Sequence, residues 1–454
     1  MLYGSERSPA AQRRAFCDGR VPVAVYGLGK MGTPIAAVFA DVSGNVTGVD
    51  VDPAVVEAVQ NGRSPVENEP GLDDLVASTV ARGALTAVTN PTAAAREAAI
   101  HVVVVPTLLD ETDAPDLSVL DAAVAGVADG LSPGDFVIVE STVPPRTCVD
   151  RVEPALAGGS GLERGSFGVA FCPERTLSGR ALRDIQGAYP KIVGGVDSES
   201  TRVAELVYEQ VTSNDVVALS DATTAEAVKV FEGAYRDVNI ALANELATFA
   251  REFDASIVEA IDAANTQPHC DIHTPGAGVG GHCIPYYSYF LVNGFESASP
   301  LLETARAVNE WMPDYTADQV LDAFVDLGVA ANEASVLVLG LGYRPGVDEI
   351  RESPALRVIE RLADGGVTVT ACDPVVSEVE PFEDRGATIR SLERVRGGDY
   401  DAVVLVTDQD AFEDLAIPTL APADRPLVVV DGRQALCDLQ EDPDVVYRGV
   451  GVNA

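Results

Sequence analysis

The sequence predicts an α/β chain made of two doubly wound, Rossmann-like parallel sheets joined by a long central helix. Three patterns point there. Short apolar runs alternate with stretches of helical length from residue 21 to about 214. An unbroken stretch with helical periodicity then begins near Ala225, and strand-into-glycine-turn patterning restarts at 334.

Residues 1–20, MLYGSERSPAAQRRAFCDGR, carry charge but no apolar run of secretory length, and read as a flexible arm. The first domain, 21–214, opens with VPVAVY running into GLGKMG, then TPIAAVFADV with helical spacing, then the strand VTGVDVD. This is a β-α-β unit. Further strands are expected at 100–106, 135–141, 167–173 and 189–195. A central helical region is placed at 215–312, with Ala227, Phe231, Ala234, Val238, Ala241, Glu245 and Phe249 stepping by three or four along its first helix. The second sheet occupies 313–454. Its first strand and glycine turn lie at 334–346, and later strands are expected at VTVTACDP, 401–408 and 426–433.

Composition removes several function classes. Among 454 residues, 70 are acidic and 31 basic, a formal net charge of −39, while 47% are apolar. That much apolar side chain fills a core, so a disordered acidic tail is excluded. Lysine occurs only at 30, 191 and 229, and acidic excess with so little lysine points to a salt-loving cytoplasm. No basic stretch is available to neutralise the phosphates of nucleic acid or an anionic membrane surface. Seven widely spaced cysteines without a CxxC pair read neither as a disulfide framework nor as a zinc site. No apolar stretch reaches the length of a membrane helix, so a cytoplasmic protein is expected.

The turn Gly27-Leu28-Gly29-Lys30-Met31-Gly32 follows a strand and opens a helix, and Asp50 ends the next strand. Glycines there permit a tight turn and close approach of a pyrophosphate, and the carboxylate suits a ribose diol, which favours NAD. The second turn, Gly340 to Pro345, lacks the third glycine and carries Arg344. With Arg351 it fits the phosphates of a substrate better than another dinucleotide.

TPGAGVGGHCIP places Gly276, Gly278, Gly280 and Gly281 before Cys283. The glycines would let a substrate approach the backbone and leave the thiol uncrowded. A nucleophilic role needs a nearby cation or anion-stabilising amides. His282 is adjacent, but side chains of sequence neighbours point apart in a strand or turn. Lys229 is kept in a chain that has replaced nearly every lysine, and lysine shuttles protons where arginine does not. Arg236, seven residues on, shares its helix face.

With these motifs together, residues 21–435 resemble the nucleotide-sugar dehydrogenases of the UDP-glucose/UDP-N-acetylmannosamine dehydrogenase family. The matching segments are VAVYGLGKMGTPIAAVFA, ENEPGL (67–72), ESTVPPRT (140–147), FCPERTLSGRALRDI (171–185), YRDVNIALANELA, PGAGVGGHCIP and GYRPGVDEIRESPA. CPERTLSGR and YRDVNIALANELA are closest in wording to the N-acetylmannosamine branch. The resemblance implies an NAD-binding first domain and a UDP-sugar-binding last domain, and the long helix between two α/β regions suits a homodimer contact. It also implies a four-electron oxidation of a sugar alcohol through a cysteine thioester. Cys283 would be the nucleophile, Lys229 would stabilise oxyanions or accept a proton, Thr142 would position water and Glu174 would serve as general base. Arg236, Arg344 and Arg351, with Gly278 and Gly280, would contact the sugar nucleotide.

Three positions depart from the pattern. Gly233 stands where the family often has asparagine, Tyr287 where aspartate is common, and His269 where a related branch has arginine. Two rivals stay open on sequence. One is a two-electron hydroxyacid dehydrogenase, since GLGKMG also fits its cofactor loop. The other is a nucleotide-sugar-binding protein without turnover.

Overall fold

The computed structural model describes residues 2–452. They lie in two compact units divided between Glu232 and Gly233. The strands of the first unit are β1 (Val23–Tyr26), β2 (Val46–Val49), β3 (Leu85–Val88), β4 (Ile100–Val103), β7 (Phe136–Val139), β8 (Gly168–Phe171), β9 (Lys191–Gly195) and β10 (Val216–Ala218), with a small hairpin of β5 (Leu108–Leu109) and β6 (Pro115–Asp116) between β4 and β7. The large sheet has the order β10-β9-β8-β7-β4-β1-β2-β3. Its strands are mostly apolar because both faces are covered. Val23 and Val25 face one apolar layer with Ile35, Phe39 and Ile138, whereas Ala24 and Tyr26 face the other with Val137, Val139 and Phe171.

The second unit holds β11 (Ser335–Leu339), β12 (Thr368–Cys372), β13 (Ala387–Ile389), β14 (Ala402–Leu405), β15 (Leu427–Asp431) and β16 (Val445–Gly449). They form an all-parallel sheet in the order β13-β12-β11-β14-β15-β16. Val336 and Val338 again pack into one layer, Leu337 and Leu339 into the other. The strand order reverses beside β1 in the first sheet and beside β11 in the second. Both glycine turns therefore sit at a switch point, at the carboxyl ends where open α/β sheets bind ligands. The predicted fold class is the observed one.

Four details differ from the sequence reading. The arm at 1–20 is not loose: Pro9–Cys17 is a helix capped by Ser8. Leu2, Tyr3 and Phe16 are buried, Phe16 lies edge-on to Phe39, and Tyr3 donates to Asp197 at 2.7 Å. These anchors are isolated in sequence, so no apolar run announced them. Residues 216–218, assigned above to the central region, are the outer strand of the first sheet. β9 runs antiparallel to β8, because the loop 172–190 returns the chain along the same edge instead of crossing over. The long helix is Ala222–Ala247 and stops before Phe249. Its buried side includes Ala225, Glu226, Lys229, Val230, Asp237 and Asn244, while Phe231, Tyr235 and Leu242 are exposed. The apolar stripe proposed from sequence thus mixes both sides.

Candidate active site

The first glycine turn is fixed by sterics. Gly27 adopts φ +93°, and a Cβ there would collide with the Val104 carbonyl; a Cβ on Gly32 would strike the Gly27 carbonyl. Gly29 differs, since a Cβ on it would meet nothing within 4 Å, and this open side is where a pyrophosphate lies over a helix N-terminus. Asp50 accepts from the Leu28 N–H at 2.7 Å and the Asp52 N–H at 3.0 Å, so it is held beside the turn with lone pairs left for a ribose. The residues fit a bound dinucleotide. Lys30 is exposed, and the Met31 sulfur accepts from the Thr176 hydroxyl at 2.8 Å, which ties the turn to the 172–176 loop.

That loop and the one at 141–147 carry the next two predicted residues. Thr142 is buried, with its carbonyl accepting from Thr107 at 2.6 Å. Glu174 folds one carboxylate oxygen onto the Thr176 N–H. Lys229, 8% exposed, places its ammonium 2.5 Å from the Glu174 carbonyl and 3.8 Å from its carboxylate. Thus the structure brings Lys229 and Glu174 together. Glu226, one helical turn before Lys229, is a buried carboxylate that the sequence reading missed. It accepts from the N–H groups of Arg146 (2.5 Å) and Cys148 (2.7 Å), anchoring the Thr142 loop. Burial pushes its carboxyl up to about 7, against the lowering effect of those donors.

In the second unit, Cys283 opens the helix Cys283–Val292 and is exposed. A helix N-terminus favours thiolate. The chain is helical at both His282 and Cys283. The neighbouring Cys283 thiol and the charge of Glu349, 3.8 Å from Nδ1, push the imidazole's pKa up from its ordinary value against burial. The glycines ahead of the thiol also have a packing role. Cβ atoms on Gly278 and Gly280 would press on Pro313, Pro354, the Glu352 carbonyl and Tyr343, so these glycines let the loop lie on the protein itself.

Gly281 N–H donates to the Arg351 carbonyl at 2.9 Å, which joins the cysteine loop to the second glycine turn. The Arg351 side chain is exposed and 3.8 Å from Glu349, and Arg344 is half-buried. Arg236 is exposed, and with burial its charge lowers the pKa of His273. His269 is exposed as well. The departures Gly233 and Tyr287 belong together: a Cβ at 233 would collide with the Tyr287 ring, which fills the space that a larger residue at 233 would take.

An open glycine turn at a switch point, with an acid after the following strand, defines a dinucleotide-binding protein. The other unit carries the exposed Cys283 thiol at a helix start. Comparison with known proteins narrows the class. The UDP-glucose/GDP-mannose dehydrogenase family matches in three successive parts: its NAD binding domain over 21–212, its central domain over 223–311 and its UDP binding domain over 337–438. The chain belongs to this family, and is an NAD-dependent nucleotide-sugar dehydrogenase.

Similar proteins include a UDP-N-acetyl-D-mannosamine dehydrogenase from Pyrococcus horikoshii, 36% identical over 94% of this chain and 99% of that relative. An NDP-N-acetyl-D-galactosaminuronic acid dehydrogenase from Ralstonia nicotianae is 34% identical over 90% and 95%. Among solved structures, the UDP-D-ManNAc dehydrogenase of Pyrococcus horikoshii superposes with a TM-score of 0.85 over 95% of this chain and 99% of that one, at 34% identity. A UDP-glucose dehydrogenase from Pyrobaculum islandicum gives 0.81 at 26% identity, covering 95% and 98%. The match through 438 accounts for the second sheet, which a hydroxyacid dehydrogenase leaves without a purpose.

Proposed function

We propose that this enzyme oxidises UDP-N-acetyl-D-mannosamine to UDP-N-acetyl-D-mannosaminuronate, with two NAD reduced and one water consumed per sugar. The exposed Cys283 thiol at a helix start beside His282 carries the chemistry. The name of the 36% identical relative supports the sugar.

NAD, when bound, supplies the hydride acceptor. Gly27, Gly29, Lys30, Met31, Gly32 and Asp50 hold it, and Thr142 adjoins it. The Lys229 ammonium stabilises the alkoxide form of the sugar's primary alcohol, whose proton passes to solvent, as the first hydride leaves carbon 6. The Cys283 thiolate adds to the resulting aldehyde, and Lys229 stabilises the oxyanion. Loss of the second hydride converts the thiohemiacetal to a thioester. Glu174 takes a proton from water positioned by Thr142, the water adds to the thioester carbonyl, and the C–S bond breaks to release carboxylate and thiolate. Arg236, Arg344 and Arg351 grip the diphosphate and sugar. The domain of the first sheet, with 216–218 as its outer strand, holds the cofactor, and the domain of the second sheet holds the sugar nucleotide.

The exposed Phe231, Tyr235 and Leu242 on the long helix support a homodimer formed through it. The acidic composition supports work at high salt in the cytoplasm, and a uronate product suits polysaccharide biosynthesis. No described helix is long and apolar enough to cross a membrane. The test is an NADH assay at high salt with UDP-N-acetylmannosamine, UDP-N-acetylglucosamine, UDP-N-acetylgalactosamine and UDP-glucose. UDP-N-acetylmannosamine should give the highest kcat/KM, at least about tenfold above UDP-glucose. Turnover of UDP-glucose alone overturns the substrate assignment.

A further inference from the structure

We propose that Lys191 is a positioning residue for thioester hydrolysis, clamping together the two loops that carry Thr142 and Glu174. Lysine is rare in this chain, and the scarcity that singles out Lys229 applies equally to Lys191. Its ammonium donates to three acceptors: the Glu140 carboxylate at 2.9 Å, the Cys172 carbonyl at 3.0 Å and the Pro173 carbonyl at 3.1 Å. It also lies 4.4 Å from the centroid of the Tyr208 ring, and the Tyr208 hydroxyl donates to the other Glu140 oxygen. Glu140 is buried two residues before Thr142, and Pro173 immediately precedes Glu174.

Topology makes this possible. Because β9 runs antiparallel to β8, its first residue reaches the end at which β8 delivers Cys172, and β7 ends beside it at Glu140. A parallel β9 would put Lys191 at the opposite edge. Three hydrogens on one ammonium nitrogen serve its three acceptors, whereas no single nitrogen of an arginine carries more than two. Removal of the ammonium leaves Glu140 buried without its counter-charge and frees the backbone just before Glu174. The Glu174 backbone then shifts relative to Lys229, which is held by that residue's carbonyl.

The inference rests on the reading of Glu174 as the hydrolytic base, and its signature is a slow last step behind intact oxidations. The test is rapid-quench turnover of full-length Lys191→Met and Lys191→Arg with NAD and UDP-N-acetyl-D-mannosamine, with intact mass and melting temperature measured in parallel. A folded Lys191→Met should keep a rapid NADH burst and accumulate a sugar adduct on Cys283. Steady turnover should fall about 30-fold with KM for NAD nearly unchanged, and Arg should not rescue it. Tyr208→Phe, which removes only a hydroxyl, should give the same signature at about threefold. Unchanged turnover in folded Lys191→Met, slowing without an adduct, or unfolding of both Lys191→Met and Tyr208→Phe overturns the proposal. A wild-type enzyme yielding one NADH per sugar, with Cys283→Ala still turning over, sinks the thioester reading itself.

Discussion

The two glycine turns are built alike and finished differently. Gly27 and Gly340 both have positive φ, at +93° and +87°, and each lies under a carbonyl, of Val104 or Thr407, that excludes a Cβ. Leu28 N–H donates to Asp50 at 2.7 Å and Leu341 N–H to Asp373 at 2.7 Å, each acid following the neighbouring strand. The next glycine separates them. Gly29 faces open space, whereas a Cβ on Gly342 would lie 3.0 Å from the Val347 carbonyl, because the second turn folds back over itself. Asp373 also accepts from Gly342, Val375, Val376 and the Gln409 amide, so its oxygens are consumed by the fold, while Asp50 keeps capacity for a ligand. A strand, a glycine and an acid therefore do not suffice for a dinucleotide site. The second glycine must face empty space and the acid must be under-used.

Substitution of the second glycine should break this contrast most sharply. Gly29→Val should lower NADH formation at least about 100-fold while the protein melts near the wild-type temperature, because it fills the pyrophosphate space. Gly342→Ala should act on stability, costing about 1–3 kcal/mol by urea titration, with KM for NAD unchanged. The two acids should sort the same way. Asp50→Asn should raise KM for NAD about tenfold and relax discrimination against the 2′-phosphorylated cofactor, whereas Asp373→Asn should lower the melting temperature and leave KM for NAD alone.

Gly233 and Tyr287 sharpen the account of the second unit. Gly233→Asn should destabilise the fold by about 1–3 kcal/mol through collision with Tyr287, and adding Tyr287→Ala, which removes the ring but keeps Cβ, should recover part of it in a double-mutant cycle. Additive effects would disprove the coupling. A smaller effect is expected at Glu226. Its folded pKa, about 7, lies above the ordinary carboxylate value, so ionisation opposes folding, and stability falls as pH rises from about 4.5 to about 7. The melting temperature of Glu226→Gln relative to wild type should therefore rise between pH 5 and pH 8.

What was legible in the sequence was local. The β-α-β unit, the open glycine turn and Asp50 follow one another within one stretch of chain, and both sheets were readable because strands buried on two faces are mostly apolar. The features that escaped are long-range. Leu2, Tyr3 and Phe16 dock a terminal helix through single residues, and the antiparallel return of β9 depends on a loop with no periodic pattern. Glu226 and Lys191 act on backbone groups far away in sequence, so nothing beside them marks their partners. Lys191 had one available signal, the rarity of lysine, and it was applied only to Lys229. The helix stripe was misphased because its aromatic residues lie on the exposed side, where the proposed dimer would cover them.

The central claim is a covalent hold on the half-oxidised sugar by Cys283. It is tested most directly by counting NADH released from a limiting amount of UDP-N-acetyl-D-mannosamine by the wild-type enzyme and by Cys283→Ala. The account requires two NADH per sugar from the wild type, with carboxylate as the sole product and none of it from Cys283→Ala. One NADH per sugar with free aldehyde, or carboxylate formed at the wild-type rate without the thiol, would contradict it.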